Sequence, residues 1–276
     1  MSFYTPQQIA EYTIKAGKKK ANLSILESSI LGFQAGAFIA LGFLLYIRVV
    51  ATIPTDWESF AAFIGASLFP IGLILTLLAG GELLTGNMMA VPLSRFAKQI
   101  STKKLAINIM VITLSNFFGA VFVAYFFGHI VGLTETGAFL TTTVEIAEHK
   151  LEASFVQAFV SGIGCNWLVA SAVWLSYGAQ DFAGKILGIW FPTMTFVAIG
   201  FQHIVANMFV IPAAIFAGHL SWVAYLQNFV PVFLGNAVGG SFFIAGAYWI
   251  AYVRKTKPVA NNTVDEFPLS VVSEGK

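Results

Sequence analysis

The sequence predicts an all-α integral membrane protein with six transmembrane helices, arranged as an inverted 3+3 repeat in which the second and fifth helices are broken. The first observation is composition: of 276 residues, 57% are hydrophobic and 10% are charged. Soluble domains carry about 25% charged residues, so most of this chain is expected to face lipid. The second observation is a set of six apolar stretches of spanning length, and the third is a pattern that two of them share.

The six apolar stretches define the predicted crossings, because a helix needs about 20 consecutive apolar residues to cross a bilayer. They occupy residues 28–50, 60–93, 105–131, 154–177, 186–217 and 225–253. The second and fifth are too long for one straight crossing and are interrupted near their middle. We therefore expect a break in each of these two helices.

The basic residues predict the orientation and the division of the chain. All Lys and Arg residues except Arg48 and Lys150 fall on the side that holds both termini. Cytoplasmic loops carry an excess of Lys and Arg, so both termini are predicted to be cytoplasmic. We expect residues 1–27 to form an amphipathic N-terminal segment, 28–253 the six-helix transmembrane domain, and 254–276 a disordered tail.

An internal repeat relates the two interrupted stretches. The segments AGGELLTGNMM (79–89) and IGFQHIVANMF (199–209) align at one offset, which superimposes the identical Asn-Met pairs that begin at Asn87 and Asn207. The same offset relates further residues in the third and sixth stretches: Asn116 and Asn236, Gly119 and Gly239, Phe122 and Phe242. Three crossings per copy is an odd number, so the copies run in opposite directions. Matching breaks in inverted repeats indicate a binding or permeation site.

Few polar side chains are predicted at membrane depth: the ionisable Glu82 and His203, and the neutral Thr85, Asn87, Asn166, Gln202 and Asn207. Ionisable groups inside a membrane are costly and by default indicate function. We therefore assign His203, at the second break, to the functional site. Glu82 is expected to be structural, and Asn87 and Asn207 are expected to cap the helices that follow the breaks.

Several other classes of protein fit the sequence less well. A zinc site needs three or four ligands and a b-type haem two histidines, but His203 is the one histidine at the centre of a span. We therefore predict no metal, no cofactor and no enzymatic activity, with an intramembrane protease or redox enzyme as the alternative. The net charge of +2 indicates no nucleic-acid partner. A channel for water, glycerol or ammonia is a second alternative, although TGN and VAN stand where aquaporins have Asn-Pro-Ala.

Three motifs resemble the formate/nitrite transporter family: GGELLTGN at 80–87, GIGCNWLVASAVW at 162–174 and GFQHIVANMF at 200–209. The likeness covers residues 5–255. It implies an aquaporin-like protomer in the cell membrane, assembled as a homopentamer with a pore in each subunit. It also implies transport of small monovalent anions. We favour formate on the stretches LLTGNMM and FQHIVANMFVIP, whereas nitrite and hydrosulfide are alternatives that the residues do not rank.

The resemblance also implies roles for individual residues. The central pore site would comprise His203, Thr85 and Asn207. Phe69 would belong to the outer constriction, and the cytoplasmic constriction would comprise Leu73, Leu83 and Phe196. Lys150 and Asn166 would form a polar pair near the outer end, where the charge of Lys150 attracts anions. Two positions depart from the family pattern: Gln202 stands where many members have Glu, and Leu84 where several have Phe.

The mechanism expected from these residues is pH-dependent. Apolar rings around His203 would strip water from a bare anion, and burying an unpaired charge is prohibitive. His203 could lower this barrier by pairing with the anion as imidazolium, or by passing a proton so that formic acid crosses. Both routes predict uptake that increases when the outside is acidic. The sequence does not distinguish a channel from a proton-coupled carrier.

Overall fold

The computed structural model describes residues 3–254, so the tail predicted for 254–276 lies almost entirely outside the described residues. The described part forms these helices in chain order: α1 Pro6–Lys20, α2 Ile25–Val50, α3 Thr55–Gly80, α4 Leu84–Phe96, α5 Thr102–Ile130, α6 Gly137–Glu152, α7 Phe155–Gly178, α8 Phe182–Ile199, α9 Ile204–Phe216 and α10 Trp222–Val253. Among the described residues, α2, α3, α5, α7, α8 and α10 are long and apolar enough to cross a membrane. The prediction of six spans is confirmed.

Both predicted breaks are present. The second span ends at Gly80, with φ of +106°, and the chain resumes as helix α4 at Leu84. The fifth span is followed by Gly200, with φ of +86°, and helix α9 begins at Ile204. Positive φ is the conformation that glycine adopts without steric cost, so a glycine in each copy ends the helix at this point.

Serine residues cap the first span of each half. Ser24 caps α2 in a capping box with Glu27, and Ser154 caps α7 in the same way with Gln157. In each box the serine hydroxyl accepts from one backbone N–H, and the Glu or Gln side chain accepts from another. The first span of each half therefore begins with a capping box.

Glycine contacts hold the first and third spans of each half together. A Cβ on Gly36 of α2 would lie 2.1 Å from the carbonyl oxygen of Asn116 in α5. In the second half, a Cβ on Gly235 of α10 would lie 2.1 Å from the carbonyl oxygen of Phe159 in α7. Both distances are far inside van der Waals contact, so these helices approach closely only where glycine leaves room.

The two short helices after the breaks form the centre of the molecule. Every residue of α4 from Leu84 to Ser94, and every residue of α9 from Ile204 to Ala214, is buried. The long spans surround them, with outward faces that expose large apolar side chains such as Phe118 and Phe242. The N-terminal segment packs onto this core, because the Ser94 hydroxyl in α4 donates to the carbonyl oxygen of Ile14 in α1.

Candidate functional site

The breaks bring one polar side chain from each half into direct contact. The Oγ1 atom of Thr85, in the first turn of α4, lies 3.1 Å from Nε2 of His203, which precedes α9. Thr85 is 0% exposed and His203 is 2% exposed. The structure thus brings into contact two residues that the family resemblance placed in the central site.

The other ring nitrogen of His203 fixes how its protons are arranged. His203 is the N-cap of α9, and its Nδ1 atom accepts a hydrogen bond of 3.1 Å from the backbone N–H of Ala206. A backbone amide can only donate, so Nδ1 carries no proton in this arrangement. The neutral imidazole therefore carries its proton on Nε2 and donates it to Thr85. The hydroxyl proton of Thr85 can then be donated to a third group.

A cluster of four residues surrounds the first break and is called here the Lys20 cluster: Lys20, Glu82, Asn87 and Asn108. The Lys20 Nζ atom donates to Glu82 Oε1 at 2.8 Å, and Asn87 Nδ2 donates to Glu82 Oε2 at 2.8 Å. Asn87 Nδ2 also donates to Asn108 Oδ1, and Asn108 Nδ2 donates to the carbonyl oxygen of Lys20. The cluster thereby links α1, the break, α4 and α5.

A matching set surrounds the second break and is called the Lys150 cluster: Lys150, Gln202, Asn207 and Asn228. Asn207 Nδ2 donates to Gln202 Oε1 at 2.7 Å and to Asn228 Oδ1 at 2.9 Å. The carbonyl oxygen of Lys150 accepts from Asn228 Nδ2 and from Gln202 Nε2, both at 2.9 Å. Within residues 3–254, the Lys150 ammonium has no hydrogen-bond or ion-pair partner, in contrast to that of Lys20.

The different surroundings change the pKa values of the two lysines in opposite directions. Burial alone would lower the pKa of Lys20, but the Glu82 carboxylate, together with Tyr177 and Tyr12, outweighs that effect and leaves the pKa above its ordinary value. Burial without a carboxylate partner lowers the pKa of Lys150 to about 8. Lys150 is therefore the cation whose charge changes in the mildly alkaline range.

Asn87 and Asn207 do not cap the short helices, so that prediction is wrong. The N-cap of α4 is Leu83 and that of α9 is His203. Asparagines on neighbouring spans satisfy the first backbone N–H groups instead: Asn116 Oδ1 accepts from Leu84 at 2.8 Å, and Asn236 Oδ1 accepts from Ile204 at 3.0 Å. Asn87 and Asn207 lie one turn further along and tie the helices to their clusters.

Asn166 lies beside Thr85 and not in a pair with Lys150. Its Nδ2 atom donates to the carbonyl oxygen of Thr85 at 3.2 Å and to that of Asn236 at 2.7 Å. Its side chain is fully buried. Asn166 therefore supports the backbone of the central site, which corrects its expected place in a polar pair at the outer end.

A cavity of about 310 Å³ connects Lys150 with His203. His149, whose side chain is 86% exposed, also lines the cavity, so the cavity reaches the surface at the Lys150 end. Aromatic residues form much of the remaining wall: Phe43, Tyr46, Phe69, Phe196 and Phe201. A solute entering here meets a cation, then an aromatic passage, then the imidazole.

The aromatic rings show how the constriction is built. The rings of Phe69 and Phe196 meet edge to face with centroids 5.8 Å apart, and Phe196 stacks on His203 at 5.5 Å. Phe196 therefore belongs with Phe69 at the Lys150 end, which corrects the expected grouping of Phe196 with Leu73 and Leu83. Leu73 and Leu83 are buried in the core and are not among the residues that line this cavity.

The sequence analysis missed Asn108 and Asn228, although a signal for them was present. The offset that relates Asn87 to Asn207 also relates Asn108 to Asn228. Each lies near the start of a span, where an asparagine is easily attributed to the membrane boundary. Their hydrogen bonds show that they complete the two clusters.

Comparison with known proteins gives a consistent result along the chain. The sequence model of a family described as formate/nitrite transporter matches residues 7–250. An uncharacterized transporter of Bacillus subtilis, YrhG, is 58% identical over 257 residues, which are 93% of this chain and 97% of that protein. The formate channel BtFdhC of Bacillus thuringiensis is 53% identical, covering 92% of this chain and 98% of its own. A solved pentameric formate channel with formate bound superimposes with a TM-score of 0.74 and 30% identity, covering 83% of this chain and 98% of that one.

Proposed function

The chain belongs to the formate/nitrite transporter family, and we propose that it carries formate, or a similarly small monovalent anion, across the cell membrane in a pH-dependent way through His203. The family consists of channels and transporters, so the protein is not an enzyme. The observation that carries the proposal is the buried contact between Thr85 and His203 at the inner end of a cavity that has the unpaired Lys150 near its mouth. The printed name of BtFdhC supports formate as the substrate.

The charges along the cavity favour an anion. Lys150 raises the local concentration of anions at the mouth, where apolar walls reduce screening by water. Further in, the N-terminal end of α9 at His203 adds a partial positive charge from its backbone dipoles. Thr85 can donate its hydroxyl proton to a carboxylate while it accepts from the imidazole. The anion is thus attracted and held without a full charge at the centre.

The geometry at His203 favours proton transfer to the anion over pairing with an imidazolium. Protonation at Nδ1 would break the hydrogen bond from Ala206 and place a positive charge at the positive end of α9. A proton added to the anion instead leaves the cap intact and gives a neutral acid. Formic acid formed there can continue through the buried apolar core beyond the central site without the desolvation cost of a bare ion. We propose this second route: one proton from the outside solution enters with each anion and is transferred to it where the anion meets Thr85 and His203, so that both side chains end the step in the protonation states in which they began.

The proposed assembly is a homopentamer with one pathway in each subunit, as the name of the pentameric formate channel suggests. The proposed orientation has both termini and the Lys20 cluster in the cytoplasm and the Lys150 cluster outside. The excess of Lys and Arg on the Lys20 side supports this orientation.

The proposal is tested by uptake of radiolabelled formate into proteoliposomes at an acidic and at a neutral external pH, with nitrite and hydrosulfide as competitors. We expect saturable uptake that increases at acidic pH, is inhibited by the competing anions and is lost in His203→Ala. Osmotic swelling of the same vesicles in water and glycerol is the control for a neutral-solute channel. Swelling without formate uptake would refute the proposed function.

A further inference from the structure

The Lys20 and Lys150 clusters match in their asparagines, and in each the lysine carbonyl oxygen accepts from the second asparagine, Asn108 or Asn228. They differ in type at one position, where Glu82 in the first is replaced by Gln202 in the second. We infer that Gln202 is a determinant of anion capture, because its neutral amide leaves the Lys150 ammonium free to bind the anion. This inference rests on the proposed function and assigns a role to a residue that does not line the cavity.

The Lys20 cluster shows what a carboxylate does in this setting. One Glu82 oxygen accepts from the Lys20 ammonium at 2.8 Å, and the other accepts from Asn87 at 2.8 Å. The lysine charge is thereby neutralised within the protein. A lysine held in this way is not available to a passing anion.

Gln202 makes the corresponding contacts without using the ammonium. Its Oε1 atom accepts from Asn207 at 2.7 Å, as Glu82 accepts from Asn87. Its Nε2 group donates to the backbone carbonyl oxygen of Lys150 at 2.9 Å. Both ends of the amide are therefore held by other groups, and the structure shows no hydrogen bond between Gln202 and the Lys150 ammonium.

No other carboxylate in the described part of the chain replaces the missing partner. Glu145 lines the same cavity but forms no ion pair with Lys150, and Glu152 lies beside His149. The Lys150 side chain therefore lines an aromatic cavity as an unpaired cation. An anion is the group that such a cation binds most strongly, since the aromatic walls offer little competing hydration.

Substitution of Gln202 by Glu would convert the Lys150 cluster into a copy of the Lys20 cluster. The new carboxylate would lose the contact with the Lys150 carbonyl oxygen, keep the one with Asn207 and accept from the ammonium. Anion capture would weaken for two reasons: the cation would be paired, and a negative charge would lie near the mouth. Steps after capture, at Thr85 and His203, would be affected less.

The test is the concentration dependence of formate uptake in proteoliposomes for five proteins: wild type, Gln202→Glu, Lys150→Met, the double variant with both changes, and the control Gln157→Glu. The control makes the same chemical change at the same end of the protein, in the capping box of α7, where the first half already has Glu27. We expect Gln202→Glu to raise the KM for formate about fivefold with little change in maximal rate. Gln157→Glu should match wild type.

The double variant shows whether the higher KM of Gln202→Glu comes from a new ion pair with Lys150 or from a general structural disturbance. With Lys150→Met already present, Gln202→Glu should add much less to the KM than it does alone, because there is no ammonium left to pair. An unchanged KM in an assembled Gln202→Glu protein, or equal effects with and without Lys150, would overturn the inference. If Gln202→Glu does not assemble, Lys150→Met alone must raise the KM, and an unchanged value would overturn it. Absence of formate uptake in wild type would instead refute the proposed function itself.

Discussion

Thr85 and His203 are 118 residues apart in the chain, yet their side chains meet at 3.1 Å in the buried centre of the protein. Each stands at the N-terminal end of a short helix that follows a break in a span. The contact is made by one residue from each half, so neither half contains the site alone. The first two predictions concern these two residues.

Replacing Thr85 by Val should lower formate uptake about tenfold or more, because the hydroxyl is the proposed donor to the anion and Val keeps the shape of Thr. Thr85→Ser keeps a hydroxyl at the same position and should retain most of the activity. The measurement is the initial rate of uptake for variants with equal assembly on size-exclusion chromatography. A normal rate in Thr85→Val would show that the hydroxyl does not contact the substrate.

Two replacements of His203 should distinguish its role as the N-cap of α9 from its role in transport. His203→Ala removes both the cap on the Ala206 N–H and the donor to Thr85, so we expect lower thermal stability and loss of uptake. Loss of an N-cap costs about 1 kcal/mol. Asn can accept from the Ala206 N–H, so His203→Asn should unfold at a higher temperature than His203→Ala. Equal unfolding temperatures would contradict the capping role.

Formate capture at the Lys150 end should weaken as the pH on that side rises through about 8, where Lys150 loses its charge. Lys150→Arg keeps the charge at alkaline pH and should remove this decline, whereas Lys150→Met should reduce capture about tenfold near neutrality and match the wild type well above pH 8, where Lys150 is itself uncharged. The measurement is the KM for formate as a function of pH. Identical pH profiles for the wild type and Lys150→Arg would contradict this assignment.

The lowered pKa of Lys150 also makes the free energy of unfolding depend on pH. The unfolded chain keeps the Lys150 proton up to about 10.5, whereas the folded protein releases it near 8. Between these values the unfolded state binds more protons, so the contribution of Lys150 makes the free energy of unfolding rise with pH. Lys20 behaves differently, because its pKa is raised and its contribution to stability is complete below about 10.5. Between pH values of about 8 and 10.5, the unfolding temperature of the wild type should rise relative to that of Lys150→Met, which lacks this proton.

Asn116→Ala should destabilise the protein more than a typical surface substitution. Its side chain accepts from the N–H of Leu84 and donates to the carbonyl oxygens of Gly32 and Glu82, all in the buried core. Each unsatisfied buried group costs about 1–3 kcal/mol. The exposed Asn22 is the control, since Asn22→Ala should change the stability by less than about 0.5 kcal/mol. Similar unfolding temperatures for the two variants would contradict the role of Asn116.

The family resemblance predicted that Thr85 and His203 share the central site, and their side chains do meet. The sequence itself was sufficient to predict the six spans and the two breaks. Those features depend on local composition and on the repeat, which can be read along the chain. The grouping of Phe196 with Phe69 could not be predicted in the same way, because it depends on how α8 is rotated about its axis. The caps supplied by Asn116 and Asn236 come from neighbouring spans, so only tertiary packing reveals them.

The sequence also did not reveal that the Lys150 ammonium is unpaired. The neutral residue at Gln202 was visible, but its effect depends on which atoms of Lys150 it contacts. The structure shows that it bonds the backbone oxygen and leaves the side chain unpaired. The presence of an amide in one cluster and a carboxylate in the other thus changes the charge available in the cavity.

The most direct test of the central claim is simultaneous recording of formate uptake and internal pH in proteoliposomes at different imposed membrane potentials. Neutral passage through the Thr85–His203 site predicts that the lumen acidifies in proportion to formate uptake and that the potential has little influence. Vesicles with His203→Ala and vesicles without protein correct for diffusion of formic acid through lipid. Uptake that follows the membrane potential without acidification would contradict the account, because the bare anion would then be crossing.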